Sequence, residues 1–138
     1  MTTTTPAKTH IYHYTVQIFD TDCYGVMWHG AYVKWLELSR IQFLLERGIN
    51  LKTLGDEHDV IFPVVEQNFK FHKSTKFMEE LVFETTLQVQ EPRLTFTQKV
   101  YRDETLVFEA TTLNLLVNHK GKVYRKLPEV LELLKLTV

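Results

Sequence analysis

Between residues 10 and 19 an apolar side chain stands at every second position, and the positions between them are mainly polar. A period of two in residues that favour extended backbone predicts a β-strand. From residue 31 to 47 the apolar spacing changes to three and four, which predicts a helix capped by Gly48. Additional apolar residues widen its apolar surface beyond one stripe, so we expect this helix to be largely enclosed.

After this helix the chain has the pattern of strands joined by short turns, a pattern typical of hairpins. A polar connection covers residues 49–59, and Pro128 opens a short amphipathic helix at 129–135. The predicted strands lie at 60–70, at 81–89, around Leu94 to Val100, at 106–117 and at 123–125.

Short connections between strands require an antiparallel sheet, and one face of that sheet needs a cover. The helix at 31–47 is the only predicted element long and apolar enough to provide it. We therefore predict an α+β fold in which an antiparallel β-sheet wraps around one long central α-helix. The other face carries Val107, Leu113 and Leu115, which indicates burial against another subunit.

The composition is that of one folded domain. The 138 residues are 44% apolar and 24% charged, with a net charge of −1. We expect a flexible tail at residues 1–9 and a single domain at 10–138. A single cysteine argues against a disulfide or a multi-cysteine metal site, and the near-neutral charge argues against nucleic acid. Neither an apolar run of membrane-spanning length nor a secretory signal is found, so we expect no membrane insertion and a cytoplasmic location.

Reactive side chains concentrate in residues 19–30, between the first strand and the long helix. Two carboxylates, Asp20 and Asp22, lie there with the thiol of Cys23 and the imidazole of His29. The free N–H groups of the helix N-terminus can stabilise a developing anion, and a nearby carboxylate can act as nucleophile or general base on a carbonyl. The alternative is structural, because aspartates before a helix commonly cap it or form Asx turns.

The same segment strongly resembles the signature of the 4-hydroxybenzoyl-CoA thioesterase family, and the resemblance extends from Tyr12 to Leu116. It implies the hotdog fold, a sheet wrapped around one long helix, assembled as a homodimer or homotetramer. It also implies an acyl-CoA thioesterase, with no metal or redox cofactor. The matching residues are Asp20-Thr21-Asp22, Gly25-Val26, His29, Tyr32 and Glu37.

The resemblance assigns the catalytic roles. It implies that Asp22 attacks the thioester carbonyl or activates the water that does so. The backbone N–H of His29, at the helix N-terminus, would polarise the thioester oxygen, and the His29 side chain would contact the thioester or position water. Gly25 would let the backbone turn tightly beside the ligand. Whether Asp22 is the nucleophile or the general base is left open.

The resemblance also implies a substrate pocket. Its lining should be apolar and partly aromatic, with Trp28, Tyr32 and Phe62 as candidates. Glu37 would line the acyl pocket or orient the active site, and a helix ion pair with an arginine is the structural alternative. The coenzyme A phosphates require basic residues, and we take Lys76 and Arg93 as candidates. Other basic residues form two clusters, Lys70, Lys73 and Lys76 in one, and Lys120, Lys122, Arg125 and Lys126 in the other.

Several alternatives stay open at this point. Cys23 as nucleophile with His29 as base could hydrolyse a thioester, but adjacent residues point differently and the resemblance favours Asp22. A metal site is not expected, because His10 and His13 face opposite sides of a strand and the other histidines are scattered. An acyl-carrier-protein thioester is the alternative substrate, and non-catalytic binding of acyl-CoA is the alternative function. The acyl group itself, aromatic or aliphatic, is not assigned.

Overall fold

The computed structural model describes residues 9–136, which form a five-stranded antiparallel sheet, two α-helices and two 3₁₀-helices. The predicted tail lies outside the described residues except for Thr9. The strands are β1 His10–Thr15, β2 Val64–Phe71, β3 Glu80–Gln90, β4 Arg93–Arg102 and β5 Thr105–Leu115; the α-helices are α1 His29–Glu46 and α2 Leu51–His58; the 3₁₀-helices are Ile18–Asp20 and Glu129–Leu136.

The strands lie in the order β1-β3-β4-β5-β2. Two hairpins join β3 to β4 and β4 to β5, and the neighbouring pairs are all antiparallel. The strand β2 follows α2 in the chain but lies beyond β5, so β1 and β2 are the two edges of the sheet. Six of the eight residues of β2 are exposed, which leaves one long edge of the sheet uncovered.

Helix α1 packs across one face of the sheet, which confirms the predicted arrangement of a sheet around one long helix. Two apolar clusters hold it there. One surrounds Phe43 and Leu44 near the end of the helix, and the other surrounds Tyr32 and Leu36 near its start. The sheet residues of these clusters are Leu87, Leu94 and Phe96 in the first, and Leu81, Phe83, Val100, Val107, Phe108 and Ala110 in the second.

Three local predictions were wrong. Residues 51–58 form α2 rather than a polar connection, because the side chain of Asn50 accepts from the N–H groups of Lys52 and Thr53 and caps a helix that buries Leu54. Residues 123–125 make one isolated bridge, between Val123 and Val117, instead of a strand. Val107, which was predicted on the uncovered face of the sheet, lies on the face that α1 covers.

Val107 is completely buried in the core that α1 covers. The β4–β5 register shifts between Val100 and Tyr101, where Val100 pairs with Phe108 and Tyr101 with Leu106. Val107 is thus the extra residue of a β-bulge, and both it and Phe108 point inward. Alternation in the sequence alone cannot show such a shift. Leu113 and Leu115, further along β5, are half-buried.

Candidate active site

Asp20 anchors the loop that leads into α1. Its side chain is 1% exposed and accepts three hydrogen bonds: from the hydroxyl of Tyr14, from the N–H of Gln17 at 2.8 Å and from the indole N–H of Trp35 at 2.8 Å. Burial, followed by the hydrogen bond to Asp20, raises the pKa of Tyr14 well above its usual range. The first aspartate of the motif therefore has a structural role and is not accessible to a substrate.

Asp22 lies on a tight turn and is exposed. The N–H of Gly25 donates to its carbonyl at 3.0 Å, and Gly25 has φ +79°, a left-handed conformation that favours glycine. Its carboxylate Oδ1 accepts from the N–H of Tyr24 at 2.8 Å and of Val26 at 3.4 Å. The other oxygen, Oδ2, has no hydrogen-bond partner within residues 9–136, so it is available to a ligand.

The N-terminus of α1 offers free donors close to this turn. The cap residue, Trp28, makes no side-chain capping bond, and its own N–H donates to the carbonyl of Asp20 at 3.0 Å. The N–H groups of His29 and Gly30 have no acceptor in the described part of the chain. Such unpaired donors at a helix N-terminus favour a negative charge.

Gly30 leaves room for the Trp28 indole, which lies over it. A Cβ at Gly30 would lie 2.1 Å from the Trp28 ring. The same ring is in edge-to-face contact with His29, at 5.5 Å between centroids. Trp28 therefore folds back over the first turn of α1 and shapes the surface around the free N–H groups.

An aromatic cluster forms the floor beside this helix turn. Tyr32 is 2% exposed, stacks on Phe108 with ring centroids 4.3 Å apart and meets the edge of Phe71. Its hydroxyl is 2.7 Å from the Thr75 hydroxyl, and burial raises its pKa. The carbonyl of Thr75 accepts from the N–H of Met27 at 2.7 Å. The segment after β2 is thereby tied to the loop that carries Asp22.

These elements enclose a cavity of about 460 Å³, within the range of small-molecule sites. Four of the predicted site residues line it together, namely Asp22, Trp28, His29 and Tyr32. Gly25 shapes the turn but does not line the cavity. The wall formed by the end of β2 and the segment after it was not predicted from the sequence, although Lys73 lies in one of the predicted basic clusters. The lining residues are Asp22, Val26, Met27, Trp28, His29, Tyr32, Phe71, His72, Lys73 and Ser74.

Besides Gly25, three predicted substrate-binding residues lie outside this cavity. Glu37 lines a second, smaller cavity of about 70 Å³ together with Phe62 and Val64. Lys76 is exposed and bridges to Val26, outside the lining. Arg93 pairs with Leu115 of β5, whereas Phe71, which lines the cavity, pairs with Phe108 of the same strand. Leu115 is seven residues from Phe108, so Arg93 lies about 23 Å from Phe71 along the strand, at roughly 3.3 Å per residue. Their roles stay predictions.

Cys23 is exposed and does not line the cavity that contains Asp22. The geometry thus offers no support for the alternative in which Cys23 is the nucleophile. Within residues 9–136 no three histidine, cysteine or acidic side chains are grouped as a metal site. No helix in the described range is long and apolar enough to cross a membrane.

Comparison with known proteins gives a consistent result. Residues 16–134 match the family model of the thioesterase-like superfamily. The chain is 34% identical to "Putative esterase sll0410" of Synechocystis sp., over 88% of this chain and 76% of that protein. It is 27% identical to the acyl-CoA thioester hydrolase YbgC of Escherichia coli, over 88% and 93% of the two chains. The crystal structure of a probable thioesterase from Bartonella henselae superposes with a TM-score of 0.81 at 27% identity, covering 87% of this chain and 99% of that one.

Proposed function

Since the chain belongs to the thioesterase-like superfamily and is a thioester hydrolase with the hotdog fold, we propose that it hydrolyses an acyl-CoA to the free carboxylic acid and coenzyme A. One observation carries this proposal. The carboxylate of Asp22 lines the same cavity as His29, the first residue of α1, whose N–H is unpaired among the described residues. A carboxylate and an oxyanion-stabilising donor around one cavity are the two components that acyl transfer requires.

Asp22 supplies either the oxygen that attacks the thioester or the base that activates a water molecule. In one route its unpaired Oδ2 attacks the thioester carbonyl, the C–S bond breaks, and water hydrolyses the resulting anhydride. In the other route the carboxylate takes a proton from the water that attacks the carbonyl. Both routes need the carboxylate to be held still, and the two N–H donors to its Oδ1 do this.

The N-terminus of α1 stabilises the transition state. As the carbonyl carbon is attacked, negative charge develops on the thioester oxygen. The N–H of His29 donates to that oxygen, and the helix dipole adds a favourable potential. Because these N–H groups are fixed by the helix, they need no reorganisation during the reaction. Removal of one such donor typically costs about 3 kcal/mol of activation free energy.

The walls of the cavity suit an acyl-CoA. Trp28, Tyr32 and Phe71 present apolar aromatic surface that accepts an aryl or alkyl group alike. Lys73 supplies a positive charge at the same cavity, where a coenzyme A phosphate could pair with it. An acyl-carrier-protein thioester carries the same reacting group, so a substrate panel must include both. The cytoplasmic location and the absence of a cofactor stay predictions.

The edge strand β2 is the proposed dimer interface. Within residues 9–136 the backbone groups on its outer side have no strand partner, and the side chains of Val64 and Val65 are 45% and 50% exposed. Such an edge readily pairs with another strand. We propose that two copies join through β2 in an antiparallel, two-fold symmetric pair, which makes a continuous sheet across the dimer. Two such dimers could associate further into the homotetramer.

This pairing would also complete the active site. Val64, at one end of β2, lines the smaller cavity with Glu37, whereas Phe71, at the other end, lines the cavity with Asp22. A two-fold axis near the middle of β2 brings the Val64 end of one copy beside the Phe71 end of the other. The Glu37 of a second copy would then face the acyl end of the site, in agreement with its predicted role.

The test is release of free thiol from a panel of aryl-CoA, alkyl-CoA and acyl-carrier-protein thioesters. Wild type should release thiol, and Asp22→Asn should lose about 10²-fold or more of that activity. Cys23→Ser, a change at the adjacent residue, is the matched control and should retain it. Binding of acyl-CoA without release by wild type would instead support the non-catalytic alternative.

A further inference from the structure

A further histidine that the motif does not include lines the cavity, and it pairs with a glutamate outside the lining. His72 lies directly after β2 and lines the cavity with Asp22 and His29. Its Nε2 is 2.8 Å from Oε2 of Glu109 on β5. In the sequence His72 is one of several scattered histidines. Nothing there links it to Glu109, because 37 residues separate the two. Pairing of β2 with β5 brings the two together.

The bulge in β5 fixes the position of His72. The backbone N–H groups of His72 and Lys73 both donate to the carbonyl of Val107, at 2.9 and 3.0 Å. Val107 is the extra residue of that bulge, and its side chain is buried beneath the cavity wall. The imidazole is thus held from two sides, by its backbone and by Glu109. A ring held in this way keeps one orientation toward the cavity.

The free nitrogen of His72 is its Nδ1, which has no hydrogen-bond partner among residues 9–136. The hydrogen bond from His72, followed by the positive charge of Lys70, keeps the pKa of Glu109 below its usual range despite some burial. Glu109 is therefore an anion near neutral pH, and its Oε2 accepts the hydrogen bond from Nε2–H of His72. The other charged groups facing the pair are Lys70 and Lys73 on its own segment, Lys99 on β4, and Asp22 and His29 across the cavity.

We propose that His72 is the proton donor to the departing coenzyme A thiolate, with Glu109 as the residue that positions it. This proposal rests on the proposed thioesterase function. When the C–S bond breaks, its electron pair goes to sulfur, and sulfur takes the proton from Nδ1 of the His72 imidazolium. An alkyl thiolate is more basic than an aryl thiolate and leaves less readily, so a proton donor at this point lowers the barrier.

The proton balance closes for either role of Asp22. If Asp22 is the nucleophile, neutral His72 takes the proton of the water that hydrolyses the anhydride, and the carboxylate of Asp22 is released. If Asp22 is the general base, it holds the proton from water after the acid and thiol have formed. That proton then returns to His72 through solvent. In both cases the cycle ends with ionised Asp22 and protonated His72.

The first test varies the leaving group. His72→Gln and wild type are compared on two thioesters of the same acyl group, one with coenzyme A and one with an acidic aryl thiol. We expect kcat for the coenzyme A ester to fall about 100-fold and kcat for the aryl ester to fall less than about fivefold. An aryl thiolate is weakly basic and gains little from protonation as it leaves, whereas an alkyl thiolate is more basic and gains more. His58→Gln, at an exposed histidine of α2, should match wild type on both esters.

The second test concerns Glu109. Glu109→Gln keeps a side-chain oxygen to accept from Nε2 but removes the charge. We expect kcat for the coenzyme A ester to fall more than kcat for the aryl ester, as in His72→Gln but by a smaller factor, because the imidazole loses the charged partner that orients it. A merely structural role for Glu109 would lower kcat for the two esters equally, which would overturn its part in the proposal.

The remaining outcomes separate this proposal from the proposed function. Equal losses on the two esters in His72→Gln, or no loss on either, would overturn His72 as the proton donor while wild-type activity and the Asp22 result still stand. A wild-type protein that releases no thiol from any ester would overturn the thioesterase proposal and this one together. Circular dichroism of each variant shows whether a loss comes from misfolding.

Discussion

The indole N–H of Trp35 donates a 2.8 Å hydrogen bond to Oδ1 of Asp20, and this contact ties the loop before α1 to the second turn of that helix. Asp22 lies only two residues further along the chain, yet it is exposed and lines the cavity. The two carboxylates of one short motif thus have different tasks. Asp20 holds the loop in place, and Asp22 lies open to the cavity.

Replacement by asparagine should therefore lower the free energy of unfolding much more at Asp20 than at Asp22. Asp20→Asn removes a buried charge that accepts three hydrogen bonds, so we expect the free energy of unfolding to fall by about 2–4 kcal/mol. Asp22→Asn should change it by less than about 1 kcal/mol, because the side chain is exposed and an amide oxygen still accepts from the turn. Urea unfolding of the two variants provides the comparison. Equal losses of stability would mean that Asp22 also holds the fold.

The contact of Trp28 with Gly30 should control the shape of the site. Gly30→Ala forces the indole away, since a Cβ would lie 2.1 Å from the ring. We expect the fluorescence emission of Trp28 to change. We also expect kcat/KM to fall about tenfold, which corresponds to roughly 1.4 kcal/mol of activation free energy. Gly55→Ala is the matched control in α2, where the nearest atom is 3.7 Å away. It should keep full activity and gain about 0.5–1 kcal/mol of stability. An active Gly30→Ala enzyme with unchanged emission would contradict this account.

Charge on the outer edge of β2 should separate the proposed dimer. Val64→Lys with Val65→Lys places two cations where two copies would meet, so we expect a monomer in sedimentation velocity and loss of thiol release. Ile11→Lys is the control, because Ile11 is 44% exposed on the opposite edge of the sheet. If the double variant keeps the mass of wild type, the interface lies elsewhere.

The carboxylate of Glu91 should make stability depend on pH in the acid range. It accepts from the N–H of Leu127 at 2.6 Å and pairs with Lys135, and these contacts lower its pKa from 4.5. A carboxylate with a lowered pKa stabilises the folded state above its unfolded pKa, and this contribution is lost as the pH falls through the folded pKa. The stability gap between wild type and Glu91→Gln should therefore be full above pH 4.5 and shrink below it.

Chemical denaturation at several pH values measures that gap. Glu104→Gln, at an exposed turn, controls for the change in net charge. A gap between wild type and Glu91→Gln that stays constant through the acid range would show that the carboxylate makes no charge-dependent contribution.

The sequence determined those features that rest on local periodicity. Alternation predicted β1 and β3, spacing of three and four predicted α1, and short turns predicted an antiparallel sheet. Where a local signal was weak, the prediction failed: α2 depends on a single capping residue, Asn50. The motif around Asp22 also needed only local sequence, since a turn, a helix cap and the residues between them lie within one short segment.

Only the tertiary structure decided which distant segments meet this motif. Strand β2 lies beyond β5 at the sheet edge, and that order places His72 beside Glu109 and brings His72 to the cavity. The bulge at Val107, which anchors His72, depends on the register between β4 and β5. Glu37 is separated from Asp22 because each lines its own cavity, near opposite ends of β2. These relationships depend on strand order and register, and both are set by packing between segments that are remote in the chain.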